Sequence, residues 1–253
     1  MVGFADRYGP WAVVAGASEG VGASVARLLG ERGIKVVLVS RRQGALDEVA
    51  STVTTETRTV ALDLSLPDAS DDLARATEDL EVGLLVYNAG ADPYSSAFLD
   101  QPLESWSGLV RRNVNTVLET SYRYGAEMAR RGRGGIVLVT SGAAWVGGGH
   151  LAAYGASKAF DLILGEALWA ELKPHHVDVL SMVLGPTDTP AFRRVLNGRD
   201  FDGMADPDDV ARDMLDNLGE GPTWPPDGSP FGPMPRRQAV ELMTQASSFL
   251  EDS

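Results

Sequence analysis

Tyr154 and Lys158 stand four residues apart in Tyr-Gly-Ala-Ser-Lys, and Ser141 precedes the tyrosine by thirteen positions. A phenol, an ammonium and a hydroxyl in this arrangement suit work on one carbonyl oxygen. Residues four apart share a helix face, so on a helical segment the ammonium lies one turn from the phenol. A phenol titrates near pH ~10 in water, and a cation held close by favours the phenolate. The spacing therefore predicts a tyrosine that donates or accepts a proton at working pH. The competing reading is a half-buried aromatic beside an exposed lysine on an amphipathic helix. Ser141 by itself reads equally as a cap or a strand-end turn residue.

Such a group needs a scaffold, and the pattern along the chain supplies one. Short apolar, β-branched runs at 11–15, 36–40, 59–62, 84–88, 136–140 and 177–183 read as strands. Amphipathic segments at 21–32, 45–54, 68–80, 106–131 and 154–172 read as the helices between them. This alternation predicts an α/β fold of three layers α/β/α, a doubly wound parallel sheet in a single domain spanning 1–253. The runs 36–39 and 136–139 are apolar throughout, as strands covered on both faces must be. A segment dense in Pro and Gly at 219–235 reads as an irregular connection to a docked terminal helix at 236–250.

The first strand leads into Gly16-Ala17-Ser18-Glu19-Gly20-Val21-Gly22, which opens a helix. Glycines allow a tight turn and close backbone approach, so helix-terminal N–H groups can meet a pyrophosphate. After the second strand comes Ser40-Arg41-Arg42, where a carboxylate would otherwise accept from a ribose 2′-hydroxyl. A hydroxyl and guanidinium groups suit a 2′-phosphate, so NADP(H) is favoured and NAD(H) stays possible. The plainer reading is two solvated arginines at a strand end, and Glu19 places a negative charge near the same phosphate.

Together these residues resemble the short-chain dehydrogenase/reductase family in its compact single-domain form. Gly16–Gly22 is similar to its glycine loop, Asn88-Ala89-Gly90 to its Asn-Ala-Gly segment, and Asn113, Ser141, Tyr154 and Lys158 to its catalytic residues. The resemblance spans about 10–190 and implies a Rossmann-type fold, a nicotinamide cofactor and hydride transfer between carbonyl and alcohol. It further implies that Ser18, Val21, Asn88, Ala89 and Gly90 line the dinucleotide. Asp63 and Leu64 would contact the adenine, and Gly185, Thr187 and Thr189 would hold the nicotinamide amide. Lys158 would grip the nicotinamide ribose as well as acting on Tyr154. Asn113, unfavourable inside a helix, would hold a backbone kink and a water. The sequence departs from the family at Ala15, Tyr87 and Leu184, where threonine, asparagine and proline are usual. Ala15 and Tyr87 fall at adjacent strand ends and suggest one packing change. The C-terminal strand of the family's tetramers is not evident, so the expected homo-oligomer is a dimer through 106–131 and 154–172, with a tetramer as the alternative.

Trp145, His150 and Leu151 lie between Ser141 and Tyr154, and Gly147-Gly148-Gly149 frees that loop to shape a pocket. His150 either touches a polar substituent or is exposed. The stretch 187–205, with Phe192, Val195, Leu196, Phe201 and Met204 among charged residues, reads as an amphipathic lid or as ordinary helix packing. Its apolar face suggests a hydrophobic ketone, aldehyde or alcohol as substrate. Two other functions fit less well: an epimerase or dehydratase, which needs a larger substrate domain, and a non-catalytic NADP-binding sensor or scaffold, which typically lacks a catalytic residue.

Composition narrows the partners. With 22 Lys plus Arg against 35 Asp plus Glu, the net charge of −13 opposes attraction to nucleic acid or anionic lipid. No apolar run approaches the ~20 residues of a membrane span, and the first residues lack a signal peptide's pattern, so a cytoplasmic protein is expected. Zero cysteines exclude disulfides and thiolate metal sites, and the three histidines show no ligand spacing, so no metal is expected.

Overall fold

The computed structural model describes residues 3–225 and 236–246. A short helix α1 (Phe4–Tyr8) precedes β1 (Trp11–Ala15), α2 (Gly20–Glu31), β2 (Lys35–Ser40), α3 (Gln43–Ala50), β3 (Thr57–Ala61), α4 (Ala69–Ala76) and β4 (Val82–Tyr87). The chain continues through α5 (Leu103–Val110), a π-helical turn (Arg111–Asn115), α6 (Thr116–Arg131), β5 (Gly134–Ser141), α7 (Ala152–Leu172) and β6 (Val177–Leu184). It ends with α8 (Pro190–Leu196), α9 (Pro207–Asp216), β7 (Thr223–Trp224) and α10 (Arg236–Ala246). The strands form one parallel sheet in the order β3-β2-β1-β4-β5-β6-β7, so the expected doubly wound three-layer architecture is present.

Alternation along each strand sorts the core into two halves. Ala12 and Val14 of β1 pack with α2, α3 and α9, whereas Trp11, Val13 and Ala15 join the cluster under α4, α6 and α7. Val36, Val37, Leu38 and Val39 are wholly buried, as their unbroken apolar run requires. Burying one such side chain stabilises by about 1.5–3 kcal/mol, against about 0–1 kcal/mol for an exposed ion pair. The sheet core, rather than the many surface salt bridges, carries the stability.

Three differences from the sequence reading have physical causes. The segment expected as one helix at 106–131 is broken into α5, the π-turn and α6, with Asn113 in the break. Helix α9 was not expected; its signal is Asp206-Pro207-Asp208-Asp209, where the Asp206 carboxylate accepts from the Asp208 and Asp209 N–H groups at 2.7 and 3.4 Å. Strand β7 corrects the expectation of no strand beyond 219: it is a two-residue edge pairing of Thr223 and Trp224 with Ser181 and Met182, too short to leave a periodicity. Of the Pro/Gly-rich region and the terminal helix, 226–235 and 247–253 lie outside the described residues.

In this strand order the connections from β1 and β4 leave in opposite directions, which opens a crevice at the carboxyl ends of those strands. There Ala15 and Tyr87 are direct neighbours in register. The two departures from the family pattern thus form one contact. The buried Tyr87 phenol donates to the Arg112 carbonyl at 2.6 Å, tying β4 to the π-turn.

Candidate active site

The four candidate catalytic residues converge from the π-turn, the end of β5 and the first turns of α7. Asn113 is fully buried, which rules out a polar surface position, and its Nδ2 donates to the Gly90 carbonyl and to Ser157 Oγ, both at 3.0 Å. A π-turn shifts the hydrogen-bond register, and such turns collect at functional sites. Ser141 ends β5; its Oγ accepts from the Ala143 N–H at 3.3 Å, so it also has the capping role that the sequence allowed. That capped turn packs on α7 closely enough that a Cβ at Gly155 would lie 3.1 Å from the Ala143 carbonyl oxygen. Tyr154, in the first turn of α7, is half-buried.

Lys158 is not the exposed lysine of the amphipathic-helix reading. Its Nζ donates to the Val139 carbonyl at 2.9 Å and to Asp161 Oδ2 at 3.0 Å. Thr140 Oγ1 donates to the Lys158 carbonyl at 2.7 Å, fixing the helix turn against β5. A Cβ at Gly90 would come within 2.4 Å of Nζ, so the glycine of the Asn-Ala-Gly segment gives the ammonium its place. Asp161 was not foreseen. Its signal, an acid three residues after the lysine, is indistinguishable in sequence from a solvated i, i+3 pair.

The crevice fits a dinucleotide. Gly16 and Gly20 adopt φ of +82° and +55°, and a Cβ at Gly22 would lie 2.1 Å from the Gly16 carbonyl oxygen. Asn88 Nδ2 donates to that same carbonyl at 3.0 Å, locking the loop to β4, while Ala89 packs beneath Gly16. No side chain caps α2 at Glu19, which leaves the N–H groups of its first turn, from Gly20 through Val21, for an anion. Ser18 is half-buried in the same loop. Where the resemblance would place the adenine, burial raises the Asp63 carboxyl, but the Ser65 hydroxyl and N–H, with Arg41 and Arg112, outweigh it and hold the group below its ordinary range. The Leu64 carbonyl accepts from Thr116 Oγ1 at 2.9 Å, and Ser40 Oγ accepts weakly from the Arg42 N–H at 3.4 Å. Arg42 is paired with Glu19 at 3.2 Å, and Arg194 of α8 reaches the same carboxylate. Two guanidinium groups therefore cover the charge that counted against a 2′-phosphate. A concavity of about 280 Å³ lies beside the loop, lined by Gly20, Ser24, Arg27, Pro190 and Asp208 among others, on the α2–α9 side and away from Ser141 and Tyr154.

Beyond β6 the chain forms a pinned flap. Thr187 bridges Ala205, and the Asp188 N–H donates to the Ala205 carbonyl at 2.9 Å, so the two ends of 187–205 meet. Thr187 Oγ1 donates to the Gly185 carbonyl at 3.0 Å, and Thr189 Oγ1 accepts from the Phe192 N–H at 3.1 Å, capping α8. Thr189 also lies against Gly20, where a Cβ would meet its methyl at 2.8 Å. Phe192 and Phe201 pack edge to face at 5.5 Å, and Leu196 is buried while Arg193 and Arg194 are exposed. The flap is amphipathic as expected. Between Ser141 and Tyr154, Trp145 and Leu151 are half-buried, and His150 adopts φ of +60°. Gly149 N–H donates to Thr244 Oγ1 at 3.0 Å, so α10 docks on this loop.

Residues 10–200 match the profile of the short chain dehydrogenase family. The chain is 34% identical over 197 residues to a 7beta-hydroxysteroid dehydrogenase of Mediterraneibacter gnavus, covering 76% of this chain and 74% of that one. A solved 7beta-hydroxysteroid dehydrogenase structure is similar with a TM-score of 0.80 and 30% identity, over 87% of this chain and 88% of the other. A short-chain dehydrogenase from Sphingobium yanoikuyae in complex with NADPH is similar with a TM-score of 0.77 and 26% identity, over 87% and 89%.

Proposed function

Because this chain belongs to the short-chain dehydrogenase/reductase family, we propose that it is an NADP-dependent oxidoreductase interconverting a bulky hydrophobic ketone, or aldehyde, and its alcohol, with a ketosteroid and its hydroxysteroid as the first pair to test. The observation that carries this reading is the meeting of half-buried Tyr154 with buried Lys158 and Asn113 beside Ser141 at the end of β5. In the reductive direction Tyr154 gives its phenolic proton to the carbonyl oxygen. Ser141 Oγ hydrogen-bonds that oxygen as negative charge develops on it. When bound, the nicotinamide supplies the hydride that reaches the carbonyl carbon, so that hydride and proton together make the alcohol. Lys158 stabilises the phenolate left on Tyr154 until a proton from solvent restores it. Oxidation runs these steps backward, with Tyr154 as the base.

Arg41, free of Glu19, and the neutralisation of Glu19 by Arg42 and Arg194 support the 2′-phosphate assignment. The apolar face of 187–205 supports a hydrophobic substrate. Exposed apolar residues on α5, α6 and α7 support a homodimer through those helices. Mixing the protein with NADPH and a panel of ketosteroids, acyl ketones and aryl ketones should consume NADPH with at least one of them. In Tyr154→Phe the rate should fall at least about 100-fold, the scale of a lost general acid. Tight NADPH binding with no consumption across the panel would instead establish a sensor or scaffold.

A further inference from the structure

We propose that Asp161 is a positioning residue of this centre: its buried carboxylate braces the Lys158 ammonium and opposes its field, so that proton donation to a ketone is favoured over proton removal from an alcohol near neutral pH. The proposal rests on the oxidoreductase reading above and assigns a direction to it.

Asp161 lies one turn beyond Lys158 on α7, and its Oδ2 accepts from Nζ at 3.0 Å. Both side chains are almost wholly inside, at 4% and 3% exposure. The other carboxylate oxygen, Oδ1, is buried with no hydrogen-bond partner among the described residues. Burial favours the acid form of this group, and the field and hydrogen bond of Lys158 work against that. Replacing both members of a buried ion pair by well-packed apolar side chains is often neutral or stabilising, and an unsatisfied oxygen weakens the pair further. On the inward face of α7, between Lys158 and the buried Leu162 and Gly165, packing alone would favour an aliphatic residue. The pair as a whole therefore brings no advantage in stability over apolar packing, which calls for a role in the chemistry.

That role follows from the surroundings of Nζ. The ammonium is held by the Val139 carbonyl at 2.9 Å and closely overlain by Gly90, and among the described residues Asp161 is its one charged partner. An ammonium alone stabilises a neighbouring phenolate; an ammonium with a carboxylate at contact distance acts as a dipole, whose field is weaker. The other charged and titratable groups around the pair are few. The Tyr87 phenol of β4 faces Asp161, with Arg112 on the π-turn and Glu119 of α6 acting on that phenol in turn. β5 and the turn after it carry no titratable side chain, and Asp178 of β6 is engaged far away with Arg7 and Tyr8. Glu104 of α5 is exposed. None of these can substitute for Asp161 as the counter-charge at Nζ.

The test compares pH profiles of kcat/KM in wild type, Asp161→Asn and Asp161→Leu, with a ketosteroid and NADPH in one direction and its alcohol and NADP in the other. Removing the carboxylate should move the rising limb of oxidation and the falling limb of reduction together to lower pH, by about one unit. The Asp161→Leu protein should also melt at a lower temperature than wild type, because it leaves the Lys158 ammonium buried without its counter-charge. Unmoved limbs in a folded, active variant would make Asp161 merely structural and overturn the proposal; limbs moving to higher pH would overturn it as well. Should neither variant fold, the carboxyl carbon of Asp161 in 13C-aspartate-labelled wild type must be ionised across the pH range of the limbs, and a protonated carboxyl there refutes the brace. A wild type that consumes no NADPH with any ketone defeats the functional reading, while the carboxyl titration still decides whether the ion pair exists.

Discussion

Tyr154, Lys158, Ser141 and Asn113 each admit an ordinary structural role, and one of them exercises it: Ser141 Oγ caps the turn that follows β5. The burial of Lys158 and Asn113 argues against solvated surface positions, a property of the fold that residue type alone does not carry. The helical spacing of Tyr154 and Lys158 was legible in the sequence, and the two lie one turn apart on α7 in the structure. Asp161 was illegible because an acid at i+3 from a lysine is usually a solvated pair, and only the three-dimensional position of α7 against β5 takes it out of water. Cofactor choice is decided at the same scale. Glu19 spends its charge on Arg42 and Arg194, and on the proposed function Arg41 would bind the 2′-phosphate. Arg41→Asp should weaken NADPH binding roughly 100-fold while changing NADH by far less, since a charge-assisted hydrogen bond is lost and a repulsion added. Titration of both cofactors checks it; an unchanged NADPH to NADH ratio refutes the assignment.

Strong periodicity made all six expected strands and the long helices readable to within about two residues, the usual uncertainty of an end. The break in 106–131 was foreshadowed only by a helix-averse asparagine, because a π-turn changes backbone hydrogen bonding without changing the apolar pattern. Helix α9 was missed although its Asp-Pro start is a strong signal, since it follows a flap whose own apolar residues drew the eye to packing over the site. The flap, glycine loop and β2 end meet at Glu19, where Arg194 of α8 and Arg42 converge. This contact latches 187–205 over the phosphate loop. All three side chains retain solvent exposure, at 24% for Glu19 and 62% and 64% for the arginines, so the latch contributes only about 0–1 kcal/mol. Arg194→Ala should therefore raise the NADPH release rate by no more than about fivefold, measured by stopped-flow displacement. Because the pair is exposed, that difference should shrink as salt is added. A release rate equal to wild type at low salt would show that the latch does not hold the flap.

At the scale of the whole molecule, charge and apolar surface pull in opposite directions. A net charge of −13 per chain repels a second copy. Yet Leu103 of α5, Leu118 and Tyr122 of α6 and Ile163 of α7 are exposed at 70%, 48%, 77% and 62%, on helices that pack against one another. A stable interface buries about 800 Å² on each partner. Association through these helices would be driven by apolar burial against electrostatic repulsion, so screening should strengthen it. Analytical ultracentrifugation should show a dimer whose dissociation constant falls as salt rises from about 0.01 to 0.15 M, where the Debye length contracts from about 30 to 8 Å. Tyr122→Glu, which adds a charge to each side and removes the largest exposed ring on α6, should shift the protein to monomer. Its thermal unfolding at low protein concentration should match wild type, because an exposed tyrosine contributes little to the monomer's own core. A wild type that stays monomeric at every salt, or a Tyr122→Glu variant that dimerises as wild type does, would remove these helices as the interface.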